Sequence, residues 1–310
     1  MSIAVTGATG FLGGHIAGAL RTAGLPVRGV VRRPDAGAWL AEAGVTFARA
    51  DLGDADSLAN AFAGVDAIVA NAALGSFQGN LDDFVRTNVA GTENTLRAAA
   101  AAGVRRVVYI STVALYDTVI GRPMNEDHPR YGPRRRLFSW AHVGTDWRYC
   151  VSKQAAEERA WALATELGLS LTVLRPGPIY GSRDPKWTAR LLRTVARPFA
   201  FAPTVGIPAV HAGDVASAVV TALGAPASIG RAYNIAGPPT PLADILLGLV
   251  RLRAPTSPSA RLLRVPVPIS VAYDTTAAAR DLGFSTRPLL DGLAEVVSAM
   301  ETGAVGGLPG

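Results

Sequence analysis

The first thirteen residues constrain this chain more than any other stretch. Ile3 to Thr6 reads as a short apolar strand, and Thr6-Gly7-Ala8-Thr9-Gly10-Phe11-Leu12-Gly13 follows it with glycines three apart. A glycine-rich turn between a first strand and a first helix is built for a dinucleotide. Gly7 permits the tight turn, Gly10 lets the backbone approach a pyrophosphate, and Gly13 lets helix and strand pack closely. The helix, expected over residues 15–23, then offers free N–H groups and a positive dipole end to the phosphates. The spacing is Gly-x-x-Gly-x-x-Gly, and Gly7, Thr9, Gly10, Phe11 and Leu12 are the residues expected against the dinucleotide.

Beyond this turn, apolar strands alternate with helical stretches. Strands are expected at residues 27–31, 45–48, 67–70, 106–110 and 171–174, with helices at 38–42, 55–62, 82–102 and 148–167. Such alternation implies parallel βαβ units, and short apolar strands imply burial on both faces. The fold class is therefore α/β: a Rossmann doubly wound parallel sheet with a smaller, irregular C-terminal substrate lobe. Prolines cluster after Arg175, where the elements shorten. The expected division is residues 1–175 plus about 211–235 for the NADP-binding domain, and 176–210 plus 236–301 for the substrate lobe. The Gly- and Pro-rich tail from Thr302 reads as frayed.

Composition removes several function classes. The 310 residues are 49% hydrophobic and 17% charged, a globular balance. Cys150 is the one cysteine, so no intramolecular disulfide forms, and a cytoplasmic location fits. No secretion signal is visible, and no run of about 18 apolar residues marks a membrane span. The net charge is +6, but the arginines are scattered apart from Arg134-Arg135-Arg136, without zinc-finger spacing or a basic helical stripe. A basic cofactor pocket accounts for the charge more simply than nucleic acid does. His15, His128 and His142 show no metal spacing, so no metal is expected.

The second strand selects the cofactor. An acid at its end grips the ribose hydroxyls of NAD, whereas arginine receives the 2′-phosphate of NADP. Here the strand ends Val30-Val31-Arg32-Arg33-Pro34, with no acid before Asp35. Guanidinium groups bind phosphate as a fork. NADP(H) is the expected cofactor, with NAD(H) the alternative.

Tyr149-Cys150-Val151-Ser152-Lys153 places a tyrosine and a lysine one turn apart at the start of a helix. A free tyrosine, with a pKa of about 10, is a poor acid–base group at neutral pH. A neighbouring ammonium favours the phenolate and is expected to lower that pKa. The pair can then exchange a proton with a substrate hydroxyl or carbonyl.

These motifs together resemble an extended short-chain dehydrogenase/reductase, the family that includes NAD-dependent epimerases/dehydratases, 3β-hydroxysteroid dehydrogenases and dihydroflavonol reductases. The likeness runs from residue 2 to about 300. It also rests on Asp51-Leu52, Asn71-Ala72-Ala73, Thr87-Asn88-Val89-Ala90-Gly91-Thr92, Ser111-Thr112 before Tyr116, Arg175-Pro176-Gly177-Pro178-Ile179-Tyr180-Gly181, and Val210-His211-Ala212-Gly213-Asp214. The resemblance implies that Asp51 and Leu52 lie beside the adenine, that Asn71, Ala72 and Ala73 line the cofactor, and that Pro176 and Ile179 meet its nicotinamide end. It implies Tyr149 as general acid/base, Lys153 as its activator and ribose partner, and Thr112 as hydrogen-bond partner of the reacting oxygen, with Ser111 as understudy. Asn88, His211 and Asp214 are expected to be structural. The family often dimerises through the helices near residues 82–102 and 148–167, although Ala-rich faces such as 98–102 equally suit intramolecular burial.

Departures from the family pattern favour reduction. Val113-Ala114 follow Thr112 where sugar-nucleotide dehydratases carry Asp-Glu. Pro178 stands where many nucleotide-sugar epimerases carry a sugar-binding Asn, and proline offers neither amide nor N–H. Arg193 and Arg231 remain as possible contacts for a diphosphate. The expected function is an NADP(H)-dependent interconversion of a carbonyl and a secondary hydroxyl on a small non-nucleotide substrate. An NAD-dependent sugar epimerase is the alternative, and an idle dinucleotide sensor ranks below both. The connection between Tyr116 and Tyr149 carries Asn125-Glu126-Asp127-His128-Pro129, then Tyr131, Arg134 to Arg136, Phe138, Trp140 and Trp147. It reads equally as a lid over the substrate or as a surface insertion packing its own aromatics.

Overall fold

The computed structural model describes residues 1–76, 78–131, 146–253 and 261–301. Arg134 to Arg136, Phe138, Trp140, His142 and the tail from Thr302 lie outside the described residues.

Seven parallel strands form the central sheet: β1 (Ile3–Thr6), β2 (Val27–Val31), β3 (Thr46–Arg49), β4 (Ala67–Ala70), β5 (Arg106–Ile110), β6 (Ser170–Pro176) and β7 (Arg231–Ile235). Their order is β7-β6-β5-β4-β1-β2-β3. Strand β7 pairs with β6 from Arg231↔Thr172 to Ile235↔Pro176, so the chain returns to the sheet after leaving it at Pro176. Alternation along each strand feeds two apolar layers. Ile3 and Val5 face α1 (Phe11–Thr22), while Ala4 faces the opposite layer with Leu96 and Ala160.

Several boundaries differ from the sequence reading. Helix α1 starts at Phe11, not residue 15, because Gly10 already occupies its cap and Gly14 N–H donates to the Gly10 carbonyl at 2.9 Å. Strands β3 and β6 run over Thr46–Arg49 and Ser170–Pro176. The helix expected over 82–102 is α-helical at Leu81–Phe84, a π-turn at Val85–Ala90, and α-helical again at Gly91–Ala101. The wider turn puts Asn88 inside, where its Nδ2 donates to Ser152 Oγ at 2.9 Å and its Oδ1 accepts Leu74 N–H at 2.7 Å.

Beyond the sheet, Trp187–Val195, Leu242–Arg253 and Leu289–Glu301 pack around Leu191, Leu192, Ile245, Leu249, Leu293 and Val296. Asp214, in the helix Ala212–Gly224, accepts from Arg287 N and Nε at 3.0 and 2.8 Å and ties that helix to the chain before Leu289. Among the described residues no helix is long and apolar enough to cross a membrane.

Candidate active site

The expected site residues gather at the carboxyl ends of the parallel strands, where open α/β sheets take ligands. At the end of β1, Gly7 has φ +67° and its carbonyl accepts Gly10 N–H at 3.0 Å. A Cβ at Gly13 would overlap that carbonyl and lie 2.9 Å from Asn71 Nδ2. Asn71 and Ala72 donate their N–H groups to Thr6 Oγ1, both at 3.0 Å, which stitches the segment after β4 to the glycine turn. Ala72 packs on Gly7, and Ala73 is exposed. No side chain caps α1 and no acid stands in its first turn, so its N–H groups and dipole are open to an anion. This cradle, with half-buried Thr9, Phe11 and Leu12 along it, fits a dinucleotide pyrophosphate. Gly13→Ala is accordingly expected to abolish dinucleotide binding in a calorimetric titration, since the new methyl displaces the Gly7 backbone.

Arg32 and Arg33 are exposed at the end of β2 without a partner among the described residues. Asp51 Oδ1 accepts Gly53 N–H at 2.8 Å, and Leu52 packs over Gly91, so both stand just past β3. Pro176 ends β6, and half-buried Ile179 pairs with Val210.

The expected acid–base pair stands on the helix Trp147–Leu167, capped by Asp146, which accepts Arg148 N–H at 3.0 Å. Thr112, which follows β5, accepts Ala114 N–H on its Oγ1 at 3.1 Å and lies beside the Tyr149 phenol. Lys153 is 3% exposed; its Nζ donates to Tyr109 Oη at 2.9 Å and to the Ile110 carbonyl at 2.8 Å. The Lys153 charge pulls the Tyr149 phenol down, as expected, but burial pushes it up by more. Burial also pushes the Lys153 amine down, while Tyr149 and Glu157 hold it up. Both shifts have burial as their largest cause.

Two sequence expectations are corrected here. Ser111 does not stand by as understudy: it is buried and its Oγ is engaged in donating to Glu157 Oε2 at 2.5 Å. Arg231 cannot meet a substrate diphosphate, because it opens β7 at the amino end of the sheet and pairs with Asp281 at 3.4 Å. Arg193, exposed on Trp187–Val195, donates to the Ala189 carbonyl of its own helix.

Sequence reasoning missed Tyr109 and Glu157. A strand tyrosine carries no signal beyond core packing. Glu157 did carry one, since Tyr149, Lys153 and Glu157 recur four apart on one helical face. Glu157 is fully buried and accepts from Arg175 Nη2 at 2.6 Å, Arg130 Nη2 at 2.8 Å and Ser111. Arg175 also donates to Tyr116 Oη at 2.6 Å, and Tyr116 donates to Asn234 Oδ1 at 2.7 Å. Among the described residues no group of three or more His, Cys, Asp or Glu is arranged to hold a metal.

A parallel sheet with a glycine cradle and a Tyr-Lys helix at its carboxyl edge is the arrangement of the extended short-chain dehydrogenase/reductase class. The chain belongs to the NAD dependent epimerase/dehydratase family, whose model matches residues 3–236. It is 32% identical over 320 residues to cinnamoyl-CoA reductase 1 of Oryza sativa subsp. japonica, with 96% of this chain and 90% of that one covered. It is 33% identical to the 2-alkyl-3-oxoalkanoate reductase of Stenotrophomonas maltophilia over 62% of this chain, a match that spans 54% of the relative's length. The fold superposes on UDP-glucuronic acid 4-epimerase from Bacillus cereus in complex with NAD, with a TM-score of 0.79, 22% identity, and 97% of this chain and 99% of that one covered.

Proposed function

We propose that the protein is an NADP(H)-dependent oxidoreductase that interconverts a carbonyl and a secondary hydroxyl on a small, non-nucleotide substrate. The observation that carries this reading is the Tyr149 phenol beside Thr112, on a helix whose next turn carries the buried Lys153 amine held by Tyr109 and the Ile110 carbonyl. Thr112 and Tyr149 hold the substrate oxygen between two hydroxyls. Tyr149, protonated at neutral pH, gives its proton to that oxygen as negative charge develops there. The Lys153 ammonium offsets the phenolate left behind. A nicotinamide dinucleotide in the glycine cradle supplies or receives the hydride. Similarity to a 2-alkyl-3-oxoalkanoate reductase and a cinnamoyl-CoA reductase supports reduction as the working direction. The lobe beyond Pro176 supplies the substrate pocket, and the expected homodimer and cytoplasmic location accompany this reading.

Arg32 and Arg33 are proposed to bind the 2′-phosphate. Stripped protein titrated by calorimetry is expected to prefer NADPH over NADH. Arg32→Gln/Arg33→Gln should cost NADPH about 10-fold or more in affinity, the scale of one or two lost charge-assisted hydrogen bonds, and leave NADH unchanged. Retained NAD⁺ in the purified protein, with NADPH bound poorly, would overturn the cofactor assignment and place NAD-dependent epimerisation first.

A further inference from the structure

The loop after Ile179–Tyr180 crosses the first turns of α1. A Cβ at Gly181 would lie 3.4 Å from the Phe11 ring and 3.5 Å from His15 Nε2, and the Ser182 carbonyl lies 3.0 Å from that same nitrogen. The next residue, Arg183, has φ 69°, the single non-glycine residue of positive φ among the described residues. A side-chain-bearing residue is held there only when its surroundings impose it, and such outliers concentrate at ligand clamps.

Those surroundings are aromatic. The Arg183 guanidinium lies 3.6 Å from the ring centroid of Trp39. Trp39 belongs to Ala38–Glu42, the helix entered directly from Arg32 and Arg33 through Pro34–Gly37. Its ring covers Gly14, where a Cβ would come within 2.5 Å of Trp39 and 3.6 Å of the Ala8 carbonyl. A residue of the second lobe is thus held against the flank of the glycine turn, on the side where β2 ends.

No carboxylate answers its charge. Arg183 has no ion pair or hydrogen bond among the described residues. Adjacent Asp184 turns its oxygens to the N–H groups of Lys186 and Thr188 at 3.0 and 2.6 Å. Burial pushes the Arg183 guanidinium down, and the Trp39 indole N–H is buried without an acceptor. Stacking occupies the face of a guanidinium and leaves its N–H edges free, which is the geometry that receives phosphate oxygens.

We propose that Arg183 is a third arm of the phosphate site, reaching from the second lobe across Trp39 to join Arg32 and Arg33 on the 2′-phosphate of NADP(H). The inference rests on the cofactor assignment above and extends it: the phosphate that distinguishes the two dinucleotides also ties the substrate lobe to the glycine turn.

The test is calorimetric titration of wild type, Arg183→Gln, Arg183→Gly and Arg32→Gln/Arg33→Gln with NADPH and with NADH. The glycine variant accepts the positive φ without strain, so it separates loss of charge from loss of backbone shape. Both Arg183 variants are expected to weaken NADPH by roughly 10-fold or more, the scale of a lost charge-assisted hydrogen bond, and to hold NADH within a factor of about 2. If they keep the wild-type preference while the double variant loses it, the cofactor assignment stands and Arg183 is not part of the site. Equal weakening of both dinucleotides assigns Arg183 to the fold and also overturns the proposal. A wild type without preference for NADPH overturns the cofactor assignment and this inference with it.

Discussion

Tyr149→Phe is expected to lower the rate of the proposed carbonyl reduction by about three orders of magnitude, within the range a positioned general acid contributes, while dinucleotide affinity stays within a factor of about two. The substitution removes one hydroxyl from a half-buried ring and leaves the Lys153 contacts to Tyr109 and the Ile110 carbonyl in place. It therefore isolates the proton donor from the architecture around it. Lys153→Met is the less clean experiment, because it also strands the Tyr109 hydroxyl and the Ile110 carbonyl. The check is kcat for a 3-oxo substrate measured alongside a calorimetric NADPH titration. Undiminished turnover in Tyr149→Phe would remove Tyr149 from the reaction. Loss of NADPH binding with turnover would show that the tyrosine serves the cofactor rather than the proton.

Glu157→Gln is expected to be the most destabilising conservative change in the molecule. The carboxylate is fully buried and accepts from Arg175, Arg130 and Ser111 at 2.5–2.8 Å. Gln keeps the volume but removes the charge and turns an N–H₂ toward two guanidinium groups. Breaking one partner of a buried pair costs on the order of 3–5 kcal/mol, which corresponds to a fall in melting temperature of about 10 °C for a chain of this size. Exposed Glu158, 3.8 Å from Arg130, is the control, and Glu158→Gln should leave the melting temperature nearly unchanged. The pH dependence has a definite sign. Burial alone would raise the Glu157 carboxyl, but Arg175, Ser111 and Arg130 together hold it below its usual range. Its stabilisation is thus complete above the unfolded carboxylate range and is lost as pH falls through the lowered folded value. Wild type should lose melting temperature in acid more steeply than Glu157→Gln. Parallel acid limbs for the two proteins would show that the pair does not govern this loss. Because Ser111 precedes Thr112, and Lys153 lies one helical turn before Glu157, kcat should fall together with stability.

Much of this was legible in the order of residues. The N-terminal strand and glycine spacing state the sheet, the turn and the pyrophosphate cradle, since strand period and glycine sterics are local properties. Arg32 and Arg33 announce a cation at the end of β2, and the four-residue offset of Tyr149 and Lys153 announces an acid–base face. The boundary of α1 was misread because Gly13 and Gly14 look like turn residues. Only their close approach to the Gly7 carbonyl and to Trp39 shows why a helix keeps them.

Long-range placement decided the rest. Ser111 and Thr112 are adjacent and chemically alike, yet the pleat turns one to Glu157 and leaves the other to Tyr149. Arg231 reads as a possible diphosphate contact and nothing in the sequence marks Arg183, yet strand direction sends the first to the far end of the sheet while a loop lays the second on Trp39. The direction of the Tyr149 shift was also beyond the sequence. A neighbouring lysine can be read from spacing, but the burial that outweighs its charge exists only once Tyr109 and Phe84 are packed beside the helix that carries the ring. Local chemistry and spacing are written along the chain, whereas desolvation and partnership between distant side chains arise only from packing.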